Sequence, residues 1–200
     1  MKFPDFFNDV KTIKLQDDLA DFLGAFEDGI VEFTYKDIAK MAGHSCFTVA
    51  SSYVMVAQGL EFLYRNEIAK RGNIEVFING DKNVGVNGVI AKVASLITGA
   101  CEDDGFAGIA GNFNRKNLLF FESNLDCDMM LKRKDNNKVA EIFLDSSCIS
   151  IDPRQNMLLQ KIIQNTAKDD EIALFKTIWQ ERVRKALIEN FDNRDFVRVI

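Results

Sequence analysis

Phe47-Thr48-Val49-Ala50-Ser51-Ser52-Tyr53-Val54-Met55-Val56-Ala57-Gln58-Gly59-Leu60-Glu61-Phe62-Leu63 is the stretch on which the fold turns. It holds no proline, and its apolar residues occupy more than one face at helical spacing. That pattern predicts a helix over about 47–66, buried against a sheet or in a dimer interface. Ala50, Ser51, Ser52, Ala57 and Gly59 are small enough to admit a close neighbour. Ser51, Ser52, Gln58 and Glu61 interrupt this stretch, and Asn87 and Lys92 interrupt the second apolar one, Gly85 to Ala100. Neither reads as a bilayer span.

Working outward toward the N-terminus, Ile30 to Phe33 reads as a strand. Thr34 with Asp37 resembles a helix start leading into Ile38, Ala39 and Met41, and Gly43 stops that helix. Leu19, Phe22, Leu23 and Phe26, at three- and four-residue spacing, predict an amphipathic helix over Leu15 to Phe26. In the other direction come a strand at Ile74 to Ile78, a turn at Asn79-Gly80-Asp81 and a helix at Val86 to Ile97. A glycine-rich stretch then leads to strands at Leu118 to Glu122, Asp126 to Lys132 and Lys138 to Leu144, the last two a hairpin around Asp135-Asn136-Asn137. After Asp152-Pro153 the chain reads as helical to near Phe191, in two segments divided about Thr166 to Asp170. This order predicts an α+β fold, mainly antiparallel. Residues 1–152 form the domain, and residues 153–200 form a helical hairpin packing on it or on a dimer partner.

The formal charge of −5, from 25 Lys and Arg against 30 Asp and Glu, disfavours sequence-independent nucleic-acid binding. The clusters Lys132-Arg133-Lys134 and Arg182-Val183-Arg184-Lys185 are flanked by acids and read as solvated faces. Asp5 and Asp9 interrupt the region where a secretory signal needs an apolar run, so the expectation is a soluble, cytoplasmic protein. Cys46, Cys101, Cys127 and Cys148 lie far apart with no CxxC pair, and free thiols are expected. On its strand, Cys127 alternates with Asp126 and Asp128 and should point inward as a small hydrophobe.

His44 is the single histidine, so any Cys-His or Ser-His chemistry must use it. In an extended turn, His44 and Cys46 of Gly43-His44-Ser45-Cys46 can converge on one ligand, and the following helix start favours the Cys46 thiolate. The alternative is a buried thiol beside a histidine that caps the preceding helix. A metal would need further ligands, and Cys101, followed by Glu102-Asp103-Asp104, can supply a thiolate or a carboxylate; equally, this is an acidic surface loop. Gly105, Gly108 and Gly111 have the form GxxGxxG, which is neither a dinucleotide fingerprint nor a P-loop. Asn112, Asn114, Arg115 and Lys116 can cradle an anion beside that backbone, or the glycines simply let the chain pass close over a neighbour. Phe175, Ile178, Trp179, Val183 and Leu187 read as core or dimer contacts.

Taken together, Gly43-His44-Ser45-Cys46 with Thr48-Val49-Ala50, Gly88-Val89-Ile90-Ala91 leading to Ile97-Thr98-Gly99-Ala100, Gly105-Phe106 through Gly111, Phe113, Arg115, Leu118 to Phe121, and Trp179 to Val183 resemble the FmdE-like family of formylmethanofuran dehydrogenase-related proteins, in its bacterial branch. The resemblance runs from about Ile30 to Leu187. It implies a curved antiparallel sheet wrapped around a long helix, a homodimer, and a metal site, commonly zinc or another divalent transition metal. His44 and Cys46 would be ligands, with Cys101 as a further candidate. It implies no named reaction; the expectation is a metal-binding protein that binds or acts on a small molecule near the GHSC turn, with Gly105, Gly108, Gly111, Asn112 and Arg115 contributing. The sequence departs from the family pattern at Ala42, at Phe47 and over Asn83 to Asn87, where relatives carry histidine, proline and a cysteine. Two other readings are a metal-free thiol enzyme, with Cys46 as nucleophile and His44 as base, and a non-enzymatic dimeric interaction module.

Overall fold

The computed structural model describes residues 1–122 and 124–200. In chain order the first half contains β1 (Ile13–Asp17), α1 (Asp18–Phe22), β2 (Ile30–Phe33), α2 (Tyr35–Ala42), α3 (Phe47–Tyr64), β3 (Ala69–Arg71) and β4 (Ile74–Asn79). The second half contains α4 (Asn87–Thr98), β5 (Leu119–Glu122), β6 (Met129–Arg133), β7 (Val139–Leu144), α5 (Arg154–Ile163), α6 (Asp169–Arg184) and β8 (Val197–Val199). The fold is α+β. No helix among the described residues is long and apolar enough to cross a membrane.

Twelve of the eighteen residues of α3 are buried, so this helix is wrapped on all sides rather than laid on a surface. The two serines within it are tolerated because both hydroxyls donate to the Thr48 carbonyl, at 3.2 and 2.7 Å. Gly59 marks the closest approach to the sheet: a methyl group there would stand 2.5 Å from Ile142 Cδ1 and 2.7 Å from Leu131 Cδ1. Tyr53 anchors the opposite face. Its hydroxyl lies 2.7 Å from the Lys11 carbonyl and 3.1 Å from that of Phe33.

Two sheets flank this helix, in the orders β2-β1-β3 and β5-β4-β6-β7-β8. Most pairings are antiparallel; β1 with β3 and β4 with β5 are parallel. β4 and β6 alternate buried and half-exposed residues, so Ile74, Val76, Ile78, Met129 and Leu131 face the core. The strand β8 is an addition to the sequence reading: residues 153–200 return to the main sheet and complete its edge against β7. Those residues are therefore part of the same core, to which Val183, Ala186, Leu187 and Phe196 contribute.

One expected element is replaced. The helix predicted over Leu15 to Phe26 is instead β1 followed by the five-residue α1. Ile13, Leu15 and Asp17 all point inward between β2 and β3, and Asp17 then caps α1 by accepting from the Leu19 and Ala20 amides. Gly24, at φ +67°, turns the chain before a second helical turn can form. Phe22, Leu23 and Phe26 thus stay exposed, Phe22 at 62%, instead of forming a buried stripe.

Candidate functional site

The helix start at Thr34 forms as its sequence indicates. The Asp37 carboxylate accepts from the Thr34 amide at 3.0 Å and from its hydroxyl at 2.7 Å. At the far end Gly43 takes φ +73°, the left-handed cap that releases the chain from α2. The GHSC turn then leads into α3, with Cys46 as an extended N-cap residue.

Three bonds hold Ser45. Its carbonyl accepts from Trp179 Nε1 at 3.0 Å and from Gln180 Nε2 at 3.1 Å, both from α6, and its hydroxyl lies 2.9 Å from the buried Tyr35 hydroxyl. Burial, helped by the nearby Cys46 and opposed by the Ser45 bond, pushes the Tyr35 phenol well above its ordinary value, so it stays protonated. Beside this knot lies a cavity of about 610 Å³. Phe3, Phe7, Phe175 and Trp179 form its aromatic wall, and His44, Ser45 and Gln180 provide polar groups. No acidic residue lines it among the described residues, whereas Lys40 and Lys176 do. Lys40 also reaches Asp37 at 3.5 Å. Gln180 Oε1 is buried without a hydrogen-bond partner. His44 is exposed, and its Nδ1 lies 2.9 Å from the Ala42 carbonyl. A carbonyl can only accept, so Nδ1 carries the proton and Nε2 is left available.

The cavity wall includes His44 but not Cys46, which packs against the buried core. No hydrogen bond joins the His44 and Cys46 side chains among the described residues. Cys101 sits elsewhere, at the end of α4, with Sγ 3.8 Å from the Gly99 carbonyl and 3.9 Å from Ser95 Oγ. No group of three or more His, Cys, Asp or Glu side chains among the described residues is placed to hold a metal ion. The residues present therefore do not make a complete ligand set for zinc. Cys127 is buried as expected, and burial raises its thiol above the ordinary value.

The glycine-rich loop does not share the GHSC cavity. Gly105 packs against Cys101 and the Arg115 backbone, where a methyl would lie 2.7 to 2.8 Å from both. Gly108 faces the Asn112 carbonyl within a tight turn in which Ile109 and Asn112 exchange backbone bonds of 2.9 Å. Gly111 takes φ +83°, and the exposed Asn112 side chain bonds only the Ala110 carbonyl among the described residues, at 3.4 Å. The close-passage reading thus accounts for Gly105 and Gly108. Arg115 is 6% exposed and points inward to Asp17, which it meets at 2.6 Å.

The sequence reading misses Phe3, Phe7, Lys40, Phe175, Lys176 and Gln180 as cavity residues, and it takes Trp179 for a core or dimer contact. The four-residue spacing of Phe175 and Trp179 is visible, but it serves a core stripe and a cavity wall equally well. No protein-family model matches the chain, and no curated protein matches it.

Proposed function

We propose that this protein binds a small apolar molecule bearing an anionic group in the cavity beside the GHSC turn. The observation that carries the reading is an aromatic-walled cavity whose charged side chains, Lys40 and Lys176, have one sign. Four aromatic residues supply flat apolar area at low conformational cost. The two ammonium groups favour an anionic end, and the unpartnered Gln180 Oε1 invites a donor on the ligand. Affiliation with the FmdE-like family belongs to the same proposal, resting on the sequence features named above. Its metal would need ligands beyond His44 and Cys46.

Trp179 is the single tryptophan of the chain and stands in the cavity wall, so its fluorescence reports occupancy directly. The test titrates 1-anilinonaphthalene-8-sulfonate and its neutral relative N-phenyl-1-naphthylamine against the protein. Saturable quenching at one site, with the sulfonate bound more tightly, is expected. Equal binding of both dyes, or quenching that never saturates, would overturn the reading. Elemental analysis beside His44→Ala and Cys46→Ser tests the metal separately: stoichiometric zinc lost in both variants would support it, and none after reconstitution would remove it.

A further inference from the structure

A second cavity, of about 370 Å³, shares no lining residue with the first. It lies between the β3–β4 turn and the end of the glycine-rich loop, and four cations, Lys70, Arg71, Arg115 and Lys134, line it with two acids, Asp18 and Asp135. Most of the acids nearby are already committed. Asp18 pairs with Lys70 at 3.1 Å, and Asp135 takes Arg133 in a two-bond clasp of 3.0 and 2.6 Å. The single carboxylate of Asp17 is divided between Arg71 at 2.8 Å and Arg115 at 2.6 Å. Lys134 has no side-chain partner among the described residues. Arg133 also meets Glu67 at 2.9 Å, so the cations of this cluster exceed its carboxylates by one, with Lys134 unpaired among the described residues and two guanidiniums sharing Asp17.

The donors tell the same story. Every nitrogen of Arg71 is engaged: Nε and Nη2 bond the carbonyls of Ile97 and Leu96 at 3.1 Å each, and Nη1 bonds Asp17 at 2.8 Å. Arg115 spends only Nη2, on Asp17. Its Nε is buried with no partner, its Nη1 makes no hydrogen bond among the described residues, and its side chain is only 8% exposed. Leaving such a group short of acceptors is costly, because burial has removed the water that would have served it. At the cavity lip Phe113 holds φ +62°, rare for an aromatic residue, and rests against Phe22 at 5.2 Å between centroids.

We propose that this cavity is a second binding site, for the phosphate group of a small phosphorylated compound, which Arg115 and Lys134 would hold beside the Phe113 lip. Phosphate supplies several acceptor oxygens and a negative charge, the two things in short supply around Arg115. This site is independent of the proposal for the GHSC cavity.

The experiment is calorimetric titration of the full chain with inorganic phosphate, against chloride and acetate at matched ionic strength, with Lys134→Ala and the distant Lys14→Ala alongside. Saturable binding of one phosphate per chain is expected, unchanged in Lys14→Ala and weakened about tenfold in Lys134→Ala. The Lys134→Ala thermal midpoint without phosphate should match that of the parent, which separates lost binding from lost folding. Phosphate acting no differently from chloride, equal losses in both variants, or acetate binding as well as phosphate would each overturn the assignment.

Discussion

The two cavities are built on opposite principles. Beside the GHSC turn, aromatic rings make the wall and its backbone is tied within the protein: Ser45 alone takes three bonds. Around Arg115, charges are packed inward and share one carboxylate, so the wall is short of acceptors. An apolar hollow tolerates losing a side chain from its wall. A buried charge cluster does not tolerate losing a partner, since breaking a buried pair strands the remaining charge.

The sharpest way to break this contrast is Asp17→Ala. It leaves Arg71 and Arg115 facing each other without a carboxylate and removes the cap of α1, and it should cost about 3–5 kcal/mol in urea unfolding. A cost below about 1 kcal/mol would show that the cluster is better hydrated than its burial implies. Acid gives the same test without a change of shape. Desolvation alone would raise the Asp17 carboxyl, but the Arg71 hydrogen bond and the charges of Arg115 and Arg71 outweigh it and hold it below 3.8. A depressed folded value means that the stabilisation is fully present above pH 3.8 and is lost as pH falls further, through the folded value. Asp17→Asn should flatten that part of the acid limb.

Next in size is Gly72→Ala. Gly72 sits at φ +81°, and a methyl there would fall 1.3 Å from Arg115 Nη1, so the guanidinium must move off Asp17. A loss of about 1–3 kcal/mol is expected, accompanied by weaker phosphate binding. At the other cavity, Ser45→Ala removes the partner of the buried Tyr35 hydroxyl and should cost about 1–2 kcal/mol. The Trp179 and Gln180 bonds run to the Ser45 carbonyl and survive this change. The smallest effect on folding is expected from Lys176→Ala, on the exposed cavity rim: stability within about 0.5 kcal/mol of the parent, with sulfonate-dye affinity down about threefold. If Lys176→Ala instead destabilised the protein as Asp17→Ala does, the distinction between the two cavities would fail.

What can be read from the chain alone follows the range of the interactions involved. Thr34, Asp37 and Gly43 cap α2 through bonds within a few residues, and the all-round apolarity of α3 shows in its own composition. The three-residue strands β3 and β8 carry too little local pattern to be seen. β1 is hidden because the third of its inward positions is an aspartate, which reads as exposed until its partners are known. The site divides in the same way. His44 stands out as the only histidine, and it does line a cavity. Arg115 stands out as an anion ligand, yet its first partner is Asp17, 98 residues away. Ser45 and Trp179 stand 134 residues apart. By itself the sequence determined the α+β class, the buried central helix and the caps that deliver the GHSC turn, because propensity, patterning and capping act locally. Only the tertiary structure decided that the GHSC turn and the end of the glycine-rich loop border separate cavities. Which aromatic walls and which charges meet depends on contacts between distant segments, and those exist only once the core has closed.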